Sequence, residues 1–148
     1  MHSKESDNNF NIAVSNLFHG KVLERATAAR ELGHFKEAKA TNILARALNS
    51  EKDPIVINRI IEAMGEIGDP KATILIIDFL KKEIEKTEDL RDKTRLFIII
   101  ESLMKIGDKR ALQDLGILLD SCDNEIKKLT EQALECIDPD WIENLKRI

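Results

Sequence analysis

Tyrosine is absent from this 148-residue sequence, tryptophan occurs once, and only six glycines, three prolines and two cysteines are present. So little turn chemistry cannot serve the many short loops of a β-sandwich or barrel, and a helical protein is expected. Cys122 and Cys136 are separated by thirteen residues, without a Cys-x-x-Cys pair, which excludes a disulfide-dense secreted scaffold and reads as two ordinary thiols. No stretch approaches the roughly 18 apolar residues a membrane-spanning helix needs. The start, Met1 to Asn9, is polar and lacks the apolar core of a secretory signal. A cytoplasmic protein with no membrane contact is expected, with residues 1–9 disordered and residues 10–148 forming one domain. Hydrophobic residues make up 43% and charged residues 34%, too apolar for a disordered tail and too charged for a membrane protein. The net charge of −4 argues against nucleic-acid binding by bulk charge.

What is present is a repeat. Residues 60–72 read Ile-Ile-Glu-Ala-Met-Gly-Glu-Ile-Gly-Asp-Pro-Lys-Ala, and residues 99–111, shifted by 39, read Ile-Ile-Glu-Ser-Leu-Met-Lys-Ile-Gly-Asp-Lys-Arg-Ala. A shift of 32 in the other direction places Leu32-Gly33 on Met64-Gly65 and Lys39-Ala40-Thr41 on Lys71-Ala72-Thr73. Leu134, Ile137 and Asp138-Pro139 begin a fourth copy. About four units of this length, two helices each, specify an all-α solenoid of helical hairpins.

The punctuation supports two helices per unit. Every proline follows an aspartate, at Asp53-Pro54, Asp69-Pro70 and Asp138-Pro139. An aspartate at the N-cap accepts an orphan backbone N–H, and proline at the first helical position gives up an N–H that has no partner. Asp108 and Asp123 are expected to cap in the same way, and Gly33, Gly65, Gly68 and Gly107 to fall in the turns between helices. The first helices are expected near 21–33, 53–66, 90–105 and 123–136. In the second helices Ala40, Leu44, Ala47 and Leu48 form an apolar stripe, repeated by Ala72, Ile76, Phe79 and Leu80 and by Ala111, Leu115, Leu118 and Leu119. A helix with Phe10, Val14, Leu17 and Phe18 on one stripe covers the first unit, and one starting at Pro139, with Trp141, Ile142 and Leu145, covers the last. The charge-dense stretch 81–95 is read as helix ends projecting into water.

Leu-Gly-x-Phe, Met-Gly-x-Ile-Gly-Asp-Pro-x-Ala and Leu-x-x-Ile-Gly-Asp-x-x-Ala resemble HEAT repeats, specifically the short type named after phycobilisome lyases. The resemblance covers residues 20 to about 140 and implies a right-handed α-solenoid with second helices lining a concave, protein-binding side. At a position where the family often carries arginine, Arg25 and Lys127 fit, whereas Ile57 and Leu96 depart. The resemblance does not imply lyase chemistry, because the family name describes a repeat. A HEAT-like di-iron hydroxylase of deoxyhypusine uses paired His-Glu dipeptides, but here His2, His19 and His34 are followed by Ser3, Gly20 and Phe35. No metal site, cofactor or catalytic residue is therefore expected. No Gly-rich phosphate loop occurs, and nothing selects a general acid and base.

Charge is uneven along the chain: residues 19–50 carry net +3 and residues 121–148 net −3. Some HEAT-like folds resemble DNA glycosylases with a basic concave face, which makes nucleic-acid binding through the first repeat the main alternative, although so few charges release few counterions. Aligning the repeats on Ala40, Ala72 and Ala111 gives the candidate partner-binding face. Two places on stand Asn42, Ile74 and Gln113; six places on stand Arg46, Asp78 and Ile117. Isoleucine where polar residues otherwise stand suits either a contact patch or packing against the next unit. The expected function is a non-catalytic protein-interaction scaffold or adaptor with a protein partner. An accessory subunit of lyase or chaperone type is a further alternative. With both ends capped, a monomer is expected, and a dimer through the isoleucine-rich faces is the other arrangement.

Overall fold

A computed structural model of the chain describes residues 4–146. Among them only helices and their connections occur: α1 Lys4–His19, α2 Val22–Phe35, α3 Ala38–Ser50, α4 Pro54–Ile67, α5 Thr73–Glu85, α6 Lys93–Ile106, α7 Leu112–Ile117, α8 Asn124–Ile137 and α9 Trp141–Lys146. Single 3₁₀ turns lie at Pro70–Ala72, Glu88–Leu90, Lys109–Ala111 and Leu118–Asp120. Helix α1 begins inside the segment expected to be disordered. Glu5 and Asp7 place negative charge in its first turn, where the helix dipole favours it. Residues 1–3 of that segment lie outside the described residues.

Three of the aspartates, Asp53, Asp108 and Asp123, cap as the repeat suggests. The Asp53 carboxylate accepts the amides of Ile55 and Val56 at the start of α4, and Asp123 accepts those of Glu125 and Ile126 at the start of α8. Asp92 accepts Arg95 N before α6, and Asp108 accepts Arg110 N before the turn into α7. Asp138 accepts Asp140 N and the Asn144 side-chain amide, so residues 138–140 form a turn and α9 starts at Trp141 rather than at Pro139. Gly68 and Gly107 close α4 and α6 with φ of 76° and 74°, a left-handed conformation that costs glycine no Cβ clash.

The other two glycines correct the expectation. Gly33 and Gly65 lie inside α2 and α4, and the left-handed residue ending α2 is Lys36, with φ 53°. Gly33 serves packing: a Cβ there would sit 2.9 Å from Ala63 Cα, so its absence lets α2 and α4 approach closely.

The chain divides into two compact units, Met1–Asp69 and Pro70–Ile148. In the first, α1, α2 and α4 pack side by side and α3 lies against α2 and α4. Its core contains Phe10, Leu17, Leu32, Leu44, Ile60, Ile61 and Met64. Arg25 binds both carboxylate oxygens of Glu51 at 3.0 and 3.1 Å and also donates to Gly20 O at 3.0 Å, tying two inter-helix turns together. In the second unit α6 packs on α5 and α8, α7 touches α5 and α8, and α9 closes over α7 and α8 with Leu145 against Gly116. Its core contains Ile76, Leu80, Ile99, Ile100, Leu103 and Leu115.

The charge-dense stretch does not project as free helix ends. The buried Glu83 carboxylate accepts Asp92 N at 2.9 Å and Lys86 Nζ at 2.8 Å. Arg91 donates to the carbonyls of Ile84 and Lys86, and Glu88 accepts Cys122 N at 2.7 Å. A tied connector, not an extended one, accounts for the longer spacing of 39.

Candidate protein-binding surface

The second helices carry the six candidate residues. Ala40, Ala72 and Ala111 are fully buried, and at about 100° per residue the places two and six residues on lie roughly on the opposite side of each helix. All six residues there are exposed: Asn42 and Arg46 on α3, Ile74 and Asp78 on α5, Gln113 and Ile117 on α7. Each pair is four residues apart and so shares one strip of its helix.

In the first unit, Arg46 is already engaged. Its guanidinium lies 5.4 Å from the Phe18 ring of α1, and seven residues earlier Lys39 Nζ lies 4.2 Å from the Phe10 ring. Phe10 in turn meets Phe35 edge-on at 5.3 Å. Two cations on α3 thus cover the aromatic side of α1, a geometry in which the ring quadrupole attracts the charge.

In the second unit, α5 and α7 are neighbours, which brings Ile74, Asp78, Gln113 and Ile117 onto adjacent helices. Ile74 is 47% and Ile117 48% exposed, while Ile76, Ile77, Leu80, Leu112, Leu115 and Leu118 around them are buried. Neither isoleucine is used up by packing. Phe79, beside Asp78, is half-buried under Lys82 at 4.6 Å and Arg95 at 5.7 Å.

The polar clusters elsewhere hold turns together. Arg110 pairs with Asp108 and donates to Pro70 O, and its guanidinium holds the Asp108 carboxyl below the usual range. Lys93 bridges Asp123 at 3.0 Å and Glu125 at 3.2 Å, lowering Asp123. Cys122 is exposed, but the Glu88 carboxylate that accepts its S–H pushes the thiol up, away from the thiolate that reacts. His19 and His34 are exposed, and among the described residues no three His, Cys, Asp or Glu side chains gather as metal ligands would. No described helix is long and apolar enough to cross a membrane.

Leu23, Ile12, Ile55, Leu90 and Ile142 are further exposed apolar residues that the repeat alignment does not single out. Their signal was available as large apolar residues off the core stripe, but periodicity alone does not separate such a residue from one under a neighbouring helix.

Residues 19–91 match the family described as HEAT repeats. No curated protein matches the chain significantly. Among solved structures, the chain is similar to the complex of CpcE and CpcF of phycocyanin lyase from Nostoc sp. PCC7120, at 18% identity and a TM-score of 0.55 over 93% of this chain and 69% of the matched one. At that identity the likeness bears on fold, and the fold is the one the repeat spacing specifies. With helical hairpins, aspartate-capped turns and a match to HEAT repeats across α2 to α5, this chain has the all-α fold of a helical-repeat solenoid.

Proposed function

We propose that the chain is a non-catalytic, cytoplasmic protein-interaction scaffold that binds its partner along the outward strip of its second helices. The observation that carries this reading is the half-exposure of Ile74 and Ile117 at two of the six places given by the repeat alignment. Apolar side chains left in water beside Asp78 and Gln113 have the composition of an interface centre with a polar rim. The solved relative in fold is itself a complex of two proteins, which agrees with a protein partner.

The test combines Arg46→Glu, Asp78→Lys and Ile74→Ser in the full chain. Affinity capture from the source cells is expected to lose the partner recovered by the unaltered protein, with circular dichroism confirming that the helices remain. Equal recovery of that partner by the folded triple variant overturns the reading.

A second reading, an accessory subunit in lyase-type chemistry, is favoured by the name of that relative alone. It calls for visible absorbance from a bound chromophore in the purified protein or its captured complex, and a colourless complex removes it.

A further inference from the structure

We propose that the first unit carries a second, separate docking surface: the groove between α1 and α2 receives a basic amphipathic helix of a partner protein. Two adjoining hollows of about 590 and 220 Å³ share Asn16 and Glu31 and run along α2 from Leu23 to Phe35. At 1.5 Å rise per residue that is about 18 Å, enough for roughly three turns of a guest helix. On its floor and rim Leu23 is 76% and Ile12 50% exposed, though the core stripes of the same two helices, Phe10, Ala13 and Leu17 and Ala28, Ala29 and Leu32, are buried. These two residues add nothing to the unit's own core, and they give a guest two apolar anchor points.

Charge selects the occupant. Among the described residues no lysine or arginine lines either hollow, whereas Glu24 and Glu31, seven residues apart on one side of α2, line the groove. Glu24 is held in place through the Lys21 amide at 3.1 Å, and Glu31 makes no ion pair among the described residues. The segment 19–50 as a whole is net basic, so the sign of the groove is opposite to that of its surroundings. A helix with apolar residues at i, i+3 or i+4 and i+7 and lysine or arginine between them places its apolar face on Ile12 and Leu23 and its cations on the two carboxylates. An acidic guest meets like charge at Glu24 and Glu31.

The groove lies on α1 and α2, whereas the strip of the proposed function lies on the second helices, and the two readings fail separately. The test uses the full chain, isotope-labelled, and a synthetic leucine–lysine amphipathic helical peptide, with the same peptide carrying glutamate for every lysine as comparison. Saturable amide shifts confined to residues 9–16 and 23–35 are expected for the lysine peptide, with the glutamate peptide weaker by about tenfold or more. Leu23→Ser and Glu31→Lys, both at exposed positions and checked for an unchanged thermal midpoint, are each expected to weaken the lysine peptide by about tenfold, and Ile74→Ser to leave it unchanged. Equal affinity for both peptides, shifts outside the groove, or indifference to Leu23→Ser and Glu31→Lys overturns the proposal. Self-association of the free chain that Leu23→Ser abolishes also overturns it, by giving the groove to a second copy of the protein.

Discussion

Gly33 shows how one missing atom sets the distance between two helices. Glycine inside a helix costs about 1 kcal/mol relative to alanine, so propensity alone favours Gly33→Ala. The alanine Cβ, however, would fall 2.9 Å from Ala63 Cα and 3.0 Å from Ala63 Cβ, and a backbone atom cannot move aside as a flexible side chain can. Overpacking of this kind costs about 1–3 kcal/mol, which outweighs the gain in propensity. Gly33→Ala is therefore expected to lower the midpoint of denaturant unfolding, and a midpoint unchanged or raised would show that α2 and α4 separate freely. Arg46 makes the same point for function. Along the sequence it is a candidate contact residue, but in the fold it also lies over Phe18, so its replacement has a structural cost beside any loss of binding.

At the scale of the element, the connector between α5 and α6 departs furthest from the sequence reading. Dense mixed charge between two helices ordinarily indicates a solvated face. Here Glu83 turns inward, is buried, and ties down the far end of the connector by accepting Asp92 N, nine residues on. Removing a buried charged acceptor leaves that N–H without its partner, at a cost of about 1–3 kcal/mol. Glu83→Ala is expected to lose roughly that much stability and, more tellingly, to speed hydrogen exchange across residues 86–92. Exchange that stays as slow as in the unaltered chain would mean that Arg91, through its bonds to Ile84 O and Lys86 O, holds the connector alone. The helices were largely legible because Asp53, Asp108 and Asp123 each use their carboxylates on the next helix or turn, a purely local interaction.

For the whole molecule, the ionised carboxylates of both units set the behaviour in acid. In the first unit burial pushes Glu51 up, but the Arg25 guanidinium and the amides of Asp53 and Lys52 outweigh it and leave the group below its ordinary range. In the second, Asp108 is lowered by Arg110, Asp123 by Lys93, Asp138 by the Asn144 amide, and Glu88 by the Ser121 hydroxyl and Cys122. Each folded-state pKa lies below the unfolded value of about 3.9 for Asp or 4.3 for Glu. Through that window the unfolded chain binds more protons, so stability is fully present above about pH 5 and is lost as the pH falls through the depressed values. Thermal midpoints are expected to be flat from pH 7 to about 5 and to fall steadily below it. A midpoint that rises on acidification would contradict the ion pairs around these groups.

The sequence by itself determined the repeat, most of the helix starts and the all-α class, because caps and the 3.6-residue period are local and recur in every unit. Only the tertiary structure decided which glycines close turns and which admit a neighbouring helix. It alone turned Glu83 inward, placed Arg46 over Phe18, left Ile74 and Ile117 in water, and opened the acidic groove between α1 and α2. The physical reason is common to all of these. Each depends on what a second element brings within a few ångströms, and periodicity along one helix carries no information about the helix packed against it.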